Sequence, residues 1–213
     1  MIDVILADDH DVVRTGIKLL LEADPEIKVI DEAADGSQAY SLVAKHKPSI
    51  LLLDISMPPG QSGLVACKKI TKDFPDTNVI ILTMFAEPEY LLYTLRGGAA
   101  GYVLKNSTPE QLRQAVHEVA NGGTYIHPSM TELLAKHIGD SDSHSPSFQQ
   151  LNARELETLQ LIAHGFTNKE IAERMFLSVK TVEAHRSKIY KKLGLKTRDD
   201  AVNYAIKHKL LEI

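Results

Sequence analysis

The chain of 213 residues contains a single cysteine, Cys67. No disulfide can close within it, and a reducing compartment such as the cytoplasm fits. No stretch approaches the roughly 20 apolar residues that a membrane helix needs. The opening segment, Ile2-Asp3-Val4-Ile5-Leu6-Ala7, reads directly as a strand and lacks the basic start and long apolar core of a secretory signal. No internal repeat alters the fold class. The expectation is a cytoplasmic globular protein, and 44% hydrophobic with 24% charged residues agrees with it.

The net charge of -4 conceals a division. Residues 1–150 hold 12 Lys/Arg against 20 Asp/Glu, a net of -8, whereas residues 151–213 hold 12 against 8, a net of +4. Such asymmetry points to a polyanionic partner for the C-terminal part alone, although small domains also vary in charge by chance.

The first 120 residues alternate between two patterns. Short runs rich in Val, Ile and Leu lie at 4–7, 28–31, 50–53, 79–82 and 101–104, as strands buried on both faces require. Between them, 12–21, 37–45, 64–73, 89–96 and 109–120 carry apolar residues at helical spacing. Asp24-Pro25, Asp35-Gly36, Lys47-Pro48, Pro75-Asp76 and Gly97-Gly98 break the chain at the joins. Thr108-Pro109-Glu110-Gln111 combines a capping residue, proline at the first helical position and glutamine at the third. Five such units predict an α/β domain with a doubly wound, five-stranded parallel sheet in the order 2-1-3-4-5.

From Asn121-Gly122-Gly123 the alternation stops. Residues 122–147 read as a linker holding a short helix near 130–138 and a polar, turn-rich stretch at 139–147. Residues 148–213 read as a small all-helical domain. Asn152 with Glu155, and Thr167 with Glu170, form capping boxes; Ser178 caps a helix ending at Gly194, and a last helix runs from about Thr197 to His208.

Chemistry in a doubly wound sheet sits at the carboxyl ends of the strands. There the sequence has Asp8 and Asp9 after the first strand, Asp54 after the third, Thr83 after the fourth and Lys105 after the fifth. Three converging carboxylates repel one another and invite a divalent cation, for which Mg²⁺ is the natural hard, oxygen-liganded choice. Mg²⁺ and Lys105 would offset the charge of an incoming phosphoryl group, toward which one carboxylate would act as nucleophile. Taken singly, each of these residues would pass for a solvated loop position.

Ala7-Asp8-Asp9-His10, Leu53-Asp54-Ile55-Ser56-Met57-Pro58, Leu82-Thr83 and Gly101-Tyr102-Val103-Leu104-Lys105 together resemble the receiver domain of bacterial two-component response regulators over the first 120 residues. The resemblance implies that Asp54 is the phosphoacceptor. It further implies that Asp9, Asp54 and the Ser56 carbonyl hold Mg²⁺ with support from Asp8. Thr83 and Lys105 would then engage the phosphoryl oxygens, and Tyr102 would be the aromatic whose rotamer follows activation. Two departures stand out: the loop Pro58-Pro59-Gly60-Gln61-Ser62-Gly63 is one residue longer than usual, which bears on access to Asp54, and Asn106 replaces a common proline.

In the C-terminal part, 167–175, a turn and 178–193 read as helix-turn-helix. Ile171, Ala172 and Met175 are expected to pack the first helix, and Leu177, Val179, Val182 and Ile189 the second. Residues 178–192 carry Lys180, Arg186, Lys188, Lys191 and Lys192 against Glu183 alone. Such cations would hold DNA phosphates. Base contact belongs to exposed residues near the helix start, with Lys180, Glu183, Ala184 and Ser187 as candidates, and Thr181 joins the DNA-binding stretch as a whole. Glu183 fits either an acceptor for cytosine N4 or a solvated face. His185 lacks partner ligands at metal-binding spacing and reads as a packed or phosphate-facing residue.

Leu151-Asn152-Ala153-Arg154-Glu155-Leu156-Glu157, Asn168-Lys169-Glu170-Ile171-Ala172 and 178–185 resemble the LuxR-type helix-turn-helix of the NarL/FixJ class. This implies a transcription factor rather than an enzyme. A sensor histidine kinase would phosphorylate it, after which the output domain would be released and dimers would form on promoter DNA. Residues 57–63 and the ending 207–213 resemble oxygen- and nitrate-responsive staphylococcal regulators, implying control of nitrate and nitrite respiration genes. Two alternatives stay open. One is an Mg²⁺-dependent aspartyl-phosphate phosphohydrolase, although Asp8-Asp9 lacks the Asp-x-Asp spacing of that chemistry. The other is a C-terminal bundle that binds protein instead of DNA.

Overall fold

The structure, a computed structural model, describes residues 1–57, 61–84, 86, 88–139, 150–208 and 210. The chain divides into two compact units, Met1–Gly139 and Asp140–Ile213.

In the first unit, β1 (Ile2–Ala7), β2 (Ile27–Ala33), β3 (Ile50–Asp54), β4 (Asn78–Thr83) and β5 (Gly101–Leu104) alternate with α1 (Asp11–Glu22), α2 (Gly36–His46), α3 (Gly63–Asp73), α4 (Pro88–Arg96) and α5 (Pro109–Ala120). All strand pairs are parallel, in the expected order 2-1-3-4-5. Side chains alternate between the two faces of a strand. Val4, Leu6, Ile50, Leu52, Ile80 and Leu82 join Ile17 and Leu21 of α1 and Leu112, Val116 and Val119 of α5 in one core. Their alternates Ile5, Leu51, Leu53 and Ile81 are equally buried, so both faces of the sheet are covered. Thr108 makes the anticipated capping box with Gln111.

The stretch expected as a linker holds more structure than its sequence suggested. Tyr125–Ile126 forms a sixth strand, β6, parallel to β5 and pairing Ile126 with Tyr102. α6 (Pro128–Gly139) follows and contacts α4, and both elements belong to the first unit. Two residues are too few to show strand periodicity, which is why β6 escaped the sequence. Residues 140–149 lie outside the described residues.

The second unit holds α7 (Ala153–Ala163), α8 (Asn168–Arg174), α9 (Val179–Leu193) and α10 (Arg198–Lys207). Asn152–Glu155 and Thr167–Glu170 form capping boxes, Ser178 caps α9, and Gly194 ends it in the left-handed region at φ 68°. Ile171, Ala172, Met175, Val182 and Ile189 are buried as expected. Val179 is not. As the first residue of α9 it lies beyond the stripe formed by Val182, Ile189 and Leu193, and it is exposed. No helix among the described residues is long and apolar enough to cross a membrane.

Candidate functional site

Asp8, Asp54 and Thr83 are buried where β1, β3 and β4 end, and Lys105 follows the end of β5. The Lys105 Nζ bridges two of the carboxylates, 2.7 Å from Asp54 Oδ2 and 2.9 Å from Asp8 Oδ2. Its amide also donates to the Thr83 carbonyl at 2.8 Å, tying it to β4. Burial alone would lower the Lys105 pKa; the Asp54 and Asp8 carboxylates outweigh that and hold it raised. Burial raises the Asp9 pKa as well, against the lowering influence of His10.

Asp8 Oδ2 and Asp9 Oδ1 are closed to solvent and meet no hydrogen-bond donor in good geometry among the described residues. Among the described residues the Lys105 Nζ lies 2.9 Å from Asp8 Oδ2, and the His10 Nδ1 lies 2.8 Å from Asp9 Oδ1. Asp8, Asp9, His10 and Asp54 can each offer a ligand atom, with those atoms within 4.8 Å of one another. Shielded carboxylate oxygens left with spare acceptor capacity suit a divalent cation. The residues present therefore fit a metal ion. His10 was not singled out from sequence, because adjacency to Asp8-Asp9 does not reveal which way a ring turns.

The backbone behind Asp54 is held by a close approach. The Gly63 amide donates to the Ile55 carbonyl at 2.9 Å, and a Cβ at Gly63 would lie 1.7 Å from the Asp54 carbonyl oxygen. Only glycine fits there. The Ser56 amide is 3.4 Å from Asp54 Oδ1. Pro58, Pro59 and Gly60, the core of the lengthened loop, lie outside the described residues. Tyr102 is fully buried on β5, and its carbonyl accepts from the His127 amide at 3.0 Å just past β6.

On α9, Lys180, Glu183, Ala184, Arg186, Ser187, Lys188 and Lys191 are exposed. Thr181 is half-buried, its hydroxyl 2.8 Å from that of Ser178. Lys192 differs from its neighbours: its Nζ ion-pairs with the buried Glu155 and donates to the Gln150 carbonyl at 3.1 Å. One cation of the basic stretch is thus spent inside the unit. Burial would raise the Glu155 pKa, but Lys192 and the Asn152 amide outweigh it and hold it lowered. His185 is half-buried, with its Nδ1 shielded and unpaired among the described residues.

A sheet-edge acidic cluster clasped by lysine, followed by a capped helix-turn-helix with a basic second helix, defines a receiver joined to a DNA-binding output domain. The chain matches the response regulator receiver domain over residues 4–117 and the luxR family of bacterial regulatory proteins over residues 149–205. It belongs to the two-component response regulators with a LuxR-type output domain. It is 50% identical over 214 residues to the oxygen regulatory protein NreC of Staphylococcus carnosus, spanning 98% of this chain and 99% of that protein. NreC of Staphylococcus haemolyticus is 49% identical over 215 residues, with the same coverage. Among solved structures, RcsB from Salmonella enterica serovar Typhimurium, bound to promoter P1flhDC in the presence of the phosphomimetic BeF3-, is similar with a TM-score of 0.71. Its identity is 31%, covering 95% of this chain and 97% of that one. A LuxR-family regulator from Aurantimonas is 31% identical with a TM-score of 0.63, covering 66% and 99%.

Proposed function

We propose that a sensor histidine kinase phosphorylates Asp54 and that this event governs promoter binding through α9. The observation that carries the reading is the Lys105 ammonium held between Asp54 and Asp8 beside the end of β4. In the transfer, an Asp54 carboxylate oxygen attacks the phosphorus. A P–O bond forms, the P–N bond to the donor imidazole breaks, and the imidazole leaves with the electron pair. Lys105 moves from Asp54 Oδ2 to a phosphoryl oxygen, and the Thr83 hydroxyl donates to another. Asp9, Asp54 and the Ser56 carbonyl would hold Mg²⁺, supported by Asp8; when bound, the ion offsets phosphoryl charge. Thr83 drawn toward the phosphoryl group opens space for Tyr102, whose strand leads through β6 to α6.

The input role belongs to residues 1–121 with β6 and α6 appended, and the output role to residues 148–213. Lys180, Arg186, Lys188 and Lys191 hold phosphates, Lys180, Glu183, Ala184 and Ser187 are the candidates to face the bases, and Thr181 completes the DNA-binding set. Dimers form on DNA after phosphorylation; the solved structure of two RcsB dimers bound to two parallel DNAs supports binding as a dimer. Moving the switch from 1:99 to 99:1 takes about 5.5 kcal/mol of differential stabilisation. The regulator acts in the cytoplasm, with nitrate and nitrite respiration genes as its targets, in keeping with its oxygen-regulatory relatives.

The test is promoter affinity of the full chain with and without a small phosphodonor and Mg²⁺. Affinity rises in the wild type and is unchanged in Asp54→Ala. Steady turnover of phosphomonoesters would instead mark a phosphohydrolase, and absence of salt-dependent DNA binding would mark a protein-interaction domain.

A further inference from the structure

His10 is the N-cap of α1, yet its side chain makes no capping hydrogen bond. The ring turns instead to the acidic cluster, with Nδ1 2.8 Å from Asp9 Oδ1 and 3.4 Å from Asp8 Oδ1. The His10 amide donates to Asp8 Oδ1 at 2.8 Å, which fixes the backbone that carries the ring. The oxygen that Nδ1 faces, Asp9 Oδ1, is shielded and receives no hydrogen bond among the described residues. A nitrogen donor therefore stands within ligand distance of the same point as the carboxylates of Asp8, Asp9 and Asp54.

Mg²⁺ takes oxygen ligands and gains little from imidazole, whereas first-row transition ions accept imidazole nitrogen readily. We propose that His10 Nδ1 is an additional ligand of the receiver's divalent cation and that it tilts the site from Mg²⁺ toward Mn²⁺ and Co²⁺. This rests on the reading that Asp9 and Asp54 hold the cation. The ring is 60% exposed, so it can turn the short distance to a metal without unpacking the core. The opposite role is a charged imidazolium that pairs with Asp9 and competes with metal. A second cluster, Asp24, Glu26 and His117, provides an internal comparison, since its His117 Nε2 is already 2.9 Å from Asp24 Oδ2.

The test is metal titration of the full chain: Mn²⁺ by electron paramagnetic resonance, and Mg²⁺ by competition against it. His10→Ala should weaken Mn²⁺ about tenfold or more and Mg²⁺ by less than about twofold. Spin-echo modulation from a directly bonded imidazole nitrogen should appear in the wild type, persist in His117→Ala and vanish in His10→Ala. Equal losses for both ions, no loss, or tighter binding of both would overturn the proposal. Asp9→Ala separates the two levels of inference. If it abolishes both ions while His10→Ala changes neither, the cation site stands and the histidine ligand falls. If it leaves both ions bound, the cation site falls with it.

Discussion

The Lys105 Nζ lies 2.7 Å from Asp54 Oδ2, across the end of β4 and 51 residues along the chain. The contact exists only because β3, β4 and β5 are parallel and in register, with Asp54 opposite Leu82 and Thr83 opposite Leu104. Removing the ammonium leaves two buried carboxylates facing each other. Lys105→Met should therefore cost about 3–5 kcal/mol without metal, read by urea denaturation. An unchanged midpoint would mean that the pair contributes nothing net.

Gly63 sets the position of Asp54 from behind. A Cβ there overlaps the Asp54 carbonyl, and the atom it meets is backbone, which cannot swing aside. Gly63→Ala should destabilise the receiver by about 3 kcal/mol and slow phosphorylation as well. Normal stability in that variant would show that the loop after Asp54 yields easily.

Phe176 stands in the turn between α8 and α9 with φ 54° and 89% exposure. A bulky side chain in the left-handed region is strained and gains little from packing when exposed, while asparagine tolerates that region. Phe176→Asn should stabilise the chain by about 0.5–1 kcal/mol, measured as a rise in Tm. A loss would show that the ring contributes more than its exposure implies.

Glu155 couples stability to pH. Its folded pKa is lowered from 4.5, so its contribution is present above that value and lost as pH falls through the folded pKa. Hydrogen exchange of α7 and α9 amides should show protection falling below about pH 4.5, the unfolded reference. Glu155→Gln should lower protection at neutral pH and flatten that dependence. An identical pH profile in the variant would show that Glu155 does not couple stability to pH.

Lys188 and Lys192 lie one helical turn apart on α9 but have different partners. Lys188 is exposed, whereas Lys192 is committed to Glu155 and Gln150. Lys188→Ala should weaken DNA binding and reduce the slope of log affinity against log salt by about 0.9. Lys192→Ala should lower stability and leave the slope alone. Equal slope changes would place both on the phosphate backbone.

Much of this organisation was written locally in the sequence. Val4, Ile50, Val79 and their neighbours form the short apolar runs that doubly covered strands require, and Thr108, Asn152, Thr167 and Ser178 mark helix starts through their own hydroxyl or amide chemistry. The parallel order then carried Asp8, Asp54, Thr83 and Lys105 to one edge. What escaped depended on distant partners. The charge of Lys192 counts toward a basic face until Glu155, 37 residues away, is placed beside it. The orientation of the His10 ring, the need for glycine at 63 and the pairing of Ile126 with Tyr102 arise only when separate segments meet. The outward position of Val179 follows from where α9 begins relative to its packed stripe, a matter of a single residue.

Receipt of the phosphoryl group by Asp54 is the proposed input step. Intact mass of the full chain after incubation with a small phosphodonor and Mg²⁺ tests it most directly. The wild type should gain a single phosphoryl group that is lost again by hydrolysis, and Asp54→Ala should gain none. Uptake with the same stoichiometry in Asp54→Ala would contradict the assignment.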